Sequence, residues 1–294
     1  MKAGARAVLN GLIDYAGLFP PAGLSMPEAV RNFAAYQRRE DAWALGRFVV
    51  PVSRLAEFER ALELLPESER LGSRWPLSAL LGAEPRADLD QVLVFNERHV
   101  HAGPEVEALE TRAPEAAAIG AMLGIMPAGL ELFFELPLSA SLPVLMEEVG
   151  RAGARAKIRT GGVQPAEIPP PEDVLEFLAV AARARVPFKA TAGLHHPVRG
   201  AARLTYERAS PCATMHGYLN VILAAALLWH GRPVEEARRL LLAEGRENLA
   251  LGEEGIGWEG VTVALPEIAR ARREFVLAVG SCSFTEPVEE IESS

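Results

Sequence analysis

The sequence predicts an α/β protein in which a single (β/α)8 barrel, or TIM barrel, occupies residues 1–294 as one domain. Two observations predict this fold. Eight short apolar runs alternate with segments of helical pattern, which is typical of parallel strands joined by crossover helices. The length of 294 residues also suits eight such units, because barrels of this kind take roughly 250 residues or more.

The eight predicted strands follow one another along the whole chain. They are Gly11–Leu18, Gly46–Val52, Pro76–Leu81, Val106–Thr111, Leu130–Leu136, Ala154–Thr160, Val186–Thr191 and Phe275–Ser281. A Pro/Gly loop follows the first strand. The next helix is predicted to begin near Ser25, because Glu28 stands three residues later as in a capping box.

The connection between the seventh and eighth strands is longer than a barrel unit needs. We predict a helical insertion over residues 212–274. Its helices are Met215–Trp229, Val234–Glu244 and Leu265–Arg272, with a glycine-rich link at Gly252–Gly260. Two interpretations are open. The insertion covers the mouth of the barrel or forms a subunit contact, or else its helices belong to the ordinary helical layer around the barrel.

Composition limits the partners of the chain. The net charge is −9 and no basic run is long enough to follow a nucleic acid, so we expect a small-molecule substrate and no nucleic acid. The longest apolar stretch, Tyr218–Trp229, is too short to span a bilayer, so no membrane is expected. The apolar insertion is consistent with a homo-oligomer. With only Cys212 and Cys282 and no CxxC or HExxH spacing, we expect a cytoplasmic protein without metal or cofactor.

The use of lysine indicates catalysis. Three of the 30 basic residues are lysines, and two of them, Lys157 and Lys189, lie in neighbouring predicted strands. Arginine stays protonated, whereas a buried lysine can lose its proton and act as a base or nucleophile. The alternative is that both lysines are survivors of an arginine-rich composition or members of structural ion pairs.

The predicted strand ends supply the candidate reactive residues, because TIM barrels carry their sites at the C-terminal ends of the strands. These residues are Asp14, Tyr15, Glu110, Arg112, Glu135, Lys157, Arg159, Lys189 and Thr191. Two inward lysines on adjacent strands disfavour each other's charge. Together with burial, this repulsion can lower a lysine pKa by roughly 3 units and give an amine that forms a Schiff base.

Several segments resemble the deoxyribose-phosphate aldolase family, whose members are class I (Schiff-base) aldolases with a (β/α)8 fold. They are K-I-R-T-G-G from Lys157, F-K-A-T-A-G around Lys189, I-D-Y-A-G-L-F-P-P-A from Ile13, F-V-V-P-V at Phe48, L-F-F-E-L at Leu132 and G-S-C-S at Gly280. The resemblance covers about half of the chain in scattered blocks.

The resemblance implies that Lys157 is the Schiff-base lysine and that Lys189 lowers its pKa. It also matches Asp14 to an acid of the family's first strand, and Glu110 is the nearest counterpart of the acid in its fourth strand. The phosphate-contacting residues implied by it are Gly161, Gly162, Gly193, Gly280 and Ser281. The chain departs from the family after the seventh strand, where it reads G-L-H-H-P-V-R.

That departure makes His195 and His196 separate candidates. At the mouth of a barrel they can orient a substrate, shuttle protons, or bind a metal with Glu110 or Glu135, and in an extended loop only one is expected to reach the centre. Arg159 and Arg112 can clamp a carboxylate or phosphate, or they pair with Glu110 or Glu135. The remaining candidates for substrate contact are Thr191 and Glu135.

The preferred hypothesis is a class I aldolase-like lyase that acts on a small carbonyl compound, phosphorylated or not, through an iminium at Lys157. Two alternatives stay open. One is a non-covalent lyase, isomerase or decarboxylase that uses Lys157, Lys189, His195 and His196 as acid/base groups. The other is a barrel that binds a small ligand or assembles with itself and catalyses no reaction.

Overall fold

Eight parallel strands close into a barrel in the computed structural model, which describes residues 2–70, 74–100 and 103–292. The strands of the chain are β1 (Ile13–Tyr15), β2 (Leu45–Pro51), β3 (Trp75–Leu80), β4 (Pro104–Arg112), β5 (Glu131–Glu135), β6 (Arg155–Arg159), β7 (Phe188–Thr191), β8 (Gly200–Arg203), β9 (Cys212–Met215), β10 (Ala250–Leu251), β11 (Gly255–Trp258), β12 (Val261–Ala264) and β13 (Val276–Ser281). The order around the barrel is β1, β13, β7, β6, β5, β4, β3, β2. The predicted TIM barrel is therefore confirmed, with β13 as its eighth strand.

The helices lie between the strands in the alternating order that the sequence predicts. They are α1 (Ala3–Leu9), α2 (Met26–Tyr36), α3 (Leu55–Glu63), α4 (Glu67–Arg70), α5 (Pro85–Arg98), α6 (Ala116–Leu123), α7 (Leu142–Arg151), α8 (Pro171–Ala184), α9 (Tyr218–Trp229), α10 (Val234–Leu242), α11 (Leu265–Glu274) and α12 (Thr285–Glu292). The predicted capping box at the start of α2 is present, since the Glu28 carboxylate accepts from the Ser25 backbone N–H at 3.0 Å. In the described part of the chain, no helix has the length and apolarity to cross a membrane.

Pairing between strands brings the polar side chains of different strands to one level. Lys157 on β6 lies opposite Lys189 on β7 and also opposite Glu135 on β5. On the other side of β7, Gly280 of β13 pairs with Thr191, and Asp14 of β1 pairs with Gly280. The inward residues near the strand ends thus form one layer inside the barrel.

The connection between β7 and β13 contains the three predicted helices and two small sheets. Helix α9 is buried over nearly its whole length and packs against α8, α10 and α11, so it belongs to the helical layer around the barrel. Its apolar stripe is part of the core. The hairpin β8–β9 and the sheet β10–β11–β12 were not predicted. The central strand of this sheet, β11, lies within the glycine-rich link.

Asn220 fixes α9 to the structure that follows it. It is fully buried, its amide nitrogen donates to the carbonyls of Leu240 at 2.7 Å and Ala243 at 2.9 Å, and its oxygen accepts from the Arg199 backbone N–H at 2.8 Å. A buried polar group of this kind stabilises the fold only while every partner is present.

We expect Asn220→Ala to lower the free energy of unfolding by about 3 kcal/mol, because it removes the partner of the Arg199 N–H and of the Ala243 carbonyl, and one of the two donors to the Leu240 carbonyl. Urea unfolding followed by circular dichroism measures this change. The control is Asn248→Ala, which removes an exposed amide and is expected to cost less than about 0.5 kcal/mol. Equal effects of the two substitutions would contradict the role assigned to Asn220.

Candidate active site

Five ionisable side chains from five strands meet inside the C-terminal half of the barrel. They are Asp14 of β1, Glu110 of β4, Glu135 of β5, Lys157 of β6 and Lys189 of β7. All five were predicted as site residues from their positions near the strand ends. Alternation of side chains along each strand turns them inward, where they are buried or nearly so.

The five groups form a chain of alternating charge across the barrel. Lys189 Nζ contacts Asp14 Oδ2 at 2.5 Å and Glu110 Oε1 at 2.7 Å. Lys157 Nζ contacts the other oxygen of Glu110, Oε2, at 2.8 Å and Glu135 Oε2 at 2.9 Å. The Glu110 carboxylate therefore bridges the two lysines.

Backbone and neutral side chains hold the two innermost carboxylates in place. Asp14 Oδ1 accepts from the Arg47 backbone N–H at 2.9 Å, and a Cβ on Gly46 would lie 2.5 Å from the same oxygen. Glu110 Oε1 also accepts from the Ser78 hydroxyl at 2.6 Å. Gly46 thus provides room for one carboxylate, and Ser78 orients the other.

The bridge reverses the electrostatics expected from the sequence. Burial alone lowers the pKa of Lys189, but Asp14 and Glu110 outweigh that effect and hold this pKa above its ordinary value. Burial likewise raises the pKa of Glu110, but Lys189 and Lys157 outweigh it and hold the pKa of Glu110 well below its usual range. The expectation that facing ammonium groups depress each other's pKa is therefore wrong for Lys189, because a carboxylate lies between them.

A cavity of about 200 Å³ lies above the charge chain, and Lys157, Lys189 and Glu110 line its floor. Arg159, Thr191 and His195 also line it, as predicted from their strand and loop positions. Its volume is below the roughly 300–1,000 Å³ of sites for drug-sized ligands. The cavity is suited to a small substrate.

The two histidines separate, as expected of adjacent residues in an extended loop. His195 lines the cavity and its Nδ1 lies 3.2 Å from Ser281 Oγ, whereas His196 contacts Glu290 of α12 at 2.8 Å. Burial lowers the pKa of His195 to about 4, with a further contribution from His196. Burial also raises the pKa of the adjacent Cys282 thiol to about 11. The cavity wall therefore presents a neutral imidazole and a neutral thiol near pH 7.

The glycines near the strand ends are required by close packing. Gly161 and Gly193 lie back to back, and a Cβ on either would lie 3.0 Å from the Cα of the other. Gly193 also has a φ of +76°. A Cβ on Gly280 would lie 2.8 Å from Thr191 Oγ1. The phosphate contacts that the family resemblance implies for these residues and for Gly162 and Ser281 stay predictions.

The two arginines of the site lie at its rim. Arg112 is 81% exposed and its Nε lies 3.3 Å from Glu135 Oε1, in agreement with the predicted ion pair. Arg159 lines both the cavity and an adjoining groove of about 600 Å³ that contains Arg112, Glu135 and Glu167. The groove extends the site outward from Lys157.

Sequence reasoning did not identify Ser78, Gly46 and Glu167 as members of the site. Ser78 gave one signal, since it is the polar residue within the apolar third strand. Glu167 lies in the loop after β6, where its carboxylate accepts backbone N–H groups. Among the described residues, no group of three His, Cys, Asp or Glu side chains has the arrangement of a metal site.

Comparisons with known proteins do not assign the chain to a family. No family model matches the sequence, and no curated protein matches it. A nitroalkane oxidase from Streptomyces ansochromogenes aligns over 98% of this chain and 99% of its own, with a TM-score of 0.35 and 12% identity. A likeness at this level carries no argument, so the fold rests on the strand order and the function on the site.

We expect Glu110→Gln to lower the free energy of unfolding by about 3–5 kcal/mol at pH 7, because it leaves two buried ammonium groups sharing fewer carboxylates. Urea unfolding measures the loss. Ser78→Ala removes a neutral donor to the same carboxylate and is expected to cost about 1.5–3 kcal/mol. If the glutamine variant were no less stable than the alanine variant, the bridge would not carry the stability assigned to it.

The neutral state of His195 makes stability depend on pH. Its pKa in the folded protein, about 4, is below its ordinary value of 6.5, so the unfolded chain takes up a proton between these pH values and the folded chain does not. The free energy of unfolding is therefore expected to fall as pH falls below about 6.5, by roughly 3 kcal/mol once pH is below 4.

The variant His195→Gln isolates this effect. Between pH 7 and pH 4, the free energy of unfolding of the wild type is expected to fall by more than that of the variant. A difference that does not change with pH would show that His195 titrates normally.

Proposed function

We propose that the chain is a class I lyase that acts on a small carbonyl compound through an iminium at Lys157. One observation carries the proposal. The Lys157 amino group lines a small cavity, lies between two carboxylates, and shares one of them, Glu110, with a second lysine. The site thus combines a nucleophile, proton acceptors and a fixed positive charge.

Lys157 is the better nucleophile of the two lysines on grounds of access. Its side chain is 7% exposed against 1% for Lys189, whose amino group is enclosed by Asp14 and Glu110. Lys189 is suited to a fixed charge that holds Glu110 in position. The family resemblance likewise assigns the Schiff base to Lys157, but it gives Lys189 a different role, that of lowering the pKa of Lys157.

The reaction begins with transfer of a proton from Lys157 to Glu135, because Lys189 and Lys157 hold the pKa of Glu110 well below its usual range. The free amine attacks the carbonyl carbon, and the carbonyl oxygen is protonated and leaves as water, which gives the iminium. Loss of a proton from a hydroxyl group on the β-carbon turns that carbon into a carbonyl carbon and breaks its bond to the α-carbon, so the first product leaves as an aldehyde or ketone. The electron pair of the broken bond forms the C=C bond of an enamine, and the C=N electrons move onto the nitrogen and neutralise it. Protonation of the enamine carbon and hydrolysis of the new iminium release the second product and restore Lys157.

The surrounding carboxylates favour the iminium. It carries the same single positive charge as the ammonium it replaces, so Glu110 and Glu135 keep a cationic partner. The neutral enamine leaves them without that partner, which favours its protonation. The charge chain thus stabilises the cationic intermediates on both sides of bond cleavage.

A second candidate is a non-covalent lyase or isomerase in which Lys157 remains an ammonium group. The pairing of Lys157 with two carboxylates favours it, because such pairs also hold a lysine charged. In that case Lys157 stabilises a developing negative charge on the substrate and forms no bond to it. Exchange of Lys157 for arginine separates the two candidates, because arginine keeps the charge and cannot form the iminium.

Reduction with borohydride in the presence of small aldehydes and ketones is expected to add the mass of one carbonyl compound to Lys157. Peptide mass spectrometry locates the adduct with little ambiguity, because the other lysines are Lys2 and Lys189. Exposed Lys2 reports non-specific alkylation within the same sample.

The matched control is Lys157→Arg, which is expected to lose both the adduct and turnover. Turnover that survives in this variant would establish the non-covalent mechanism instead. Adducts spread equally over Lys2 and Lys157 would show that Lys157 has no special reactivity.

A further inference from the structure

Arg159 is an uncommitted cation at the rim of the cavity. Its guanidinium group makes one long contact, 3.5 Å, with the carbonyl oxygen of Gly161. In the part of the chain that the structure describes, no carboxylate pairs with it, whereas Lys157 and Lys189 each contact two carboxylates. Arg159 is thus available to an anionic group of a ligand.

The loop after β6 already holds an anion of its own. Glu167 Oε2 accepts from the backbone N–H groups of Val163 at 2.7 Å and Gln164 at 2.8 Å. A Cβ on Gly162 would lie 2.3 Å from the same oxygen. The amides that could cradle a phosphate in this loop are occupied, and the carboxylate on them repels a dianion.

The opposite wall of the cavity adds little positive charge. The described residues that line it from β7, β13 and their loops are Lys189, Thr191, Ala192, His195, Gly280 and Cys282. Lys189 is bonded to Asp14 and Glu110, and burial keeps His195 neutral by lowering its pKa to about 4. Of the two arginines at the rim, Arg112 already pairs with Glu135, so a phosphate, with roughly two negative charges near pH 7, would meet one arginine without a carboxylate partner among the described residues, Arg159.

We propose that Arg159 binds a carboxylate of the substrate, so that the compound reaching Lys157 is a short oxo acid and not a sugar phosphate. The guanidinium fork matches one carboxylate in charge and in bidentate geometry. Arg159 stands two residues after Lys157 on the same strand face, roughly 7 Å along the strand, which places the oxo group and the acid group within one short chain. This inference rests on the proposed function and names its substrate class.

The test compares matched carbonyl compounds by borohydride trapping. The probes are 4-oxopentanoate, its methyl ester, and dihydroxyacetone phosphate, and the quantity measured is the concentration that gives half-maximal labelling of Lys157. The acid is expected to label at a concentration about 10–100-fold lower than the ester, because it gains a charge-assisted pair with Arg159. Direct binding of the acid is measured in parallel by calorimetry without borohydride.

The variant Arg159→Gln is expected to remove the advantage of the acid, by weakening labelling by the acid about 10–100-fold more than labelling by the ester, which a merely structural role would not do. Arg159→Lys is expected to keep part of the advantage, and Arg60→Gln, on the exposed face of α3, to keep all of it. Tighter labelling by the phosphate compound, or equal loss for acid and ester in Arg159→Gln, would overturn the inference.

The two proposals fail in different ways. If calorimetry shows binding of the acid that depends on Arg159 while Lys157 is labelled by none of the probes, the carboxylate site stands and the covalent mechanism fails. If Lys157 is labelled and the preference for the acid does not depend on Arg159, the covalent mechanism stands and the carboxylate site fails.

Discussion

The arrangement of the site depends on the carboxylate of Glu110. It accepts from Lys157, Lys189 and Ser78, and so connects β4 to β3, β6 and β7 across the inside of the barrel. Without it, two ammonium groups would face each other in a medium of low dielectric constant. Because Asp14 and Glu135 close the two ends, each buried lysine lies between two carboxylates, and the charges alternate from β1 to β5.

The barrel fixes the positions of the side chains that form this row of alternating charges. Pairing of β6 with β7 sets Lys157 opposite Lys189, and the close contact of Gly161 with Gly193 keeps the loops after these strands together. Ala192, between Lys189 and Gly193, has a φ of +62°, a conformation that alanine seldom adopts. Such strain persists where the surrounding packing fixes the backbone, as it does here between two strands that carry the lysines.

Local patterns in the sequence were sufficient to predict the eight barrel strands, though not the two small sheets, and the strand ends identified the five ionisable groups. The contacts between those groups could not be predicted in the same way. The pairing of β3 with β4 shifts register between Leu77 and Ser78, so that Ala108 and not Glu107 lies opposite Ser78. An extra residue of this kind changes which side chains of β4 face inward. Whether Glu110 reaches the lysines therefore depends on an irregularity that periodicity alone does not reveal.

The separation of the charge chain from Arg159 has a chemical consequence. In the proposed mechanism, conversion of the Lys157 ammonium to an iminium leaves the charge inside the barrel unchanged, so the buried carboxylates keep their cationic partners. An anionic substrate adds a charge that this balanced chain does not accommodate, and an outer cation must neutralise it. Arg159 lies on the same strand face as Lys157 but outside the chain of ion pairs, so it can bind the anion without withdrawing a partner from Glu110 or Glu135. The proposed reaction and the proposed recognition of the anion therefore use different cations, Lys157 and Arg159.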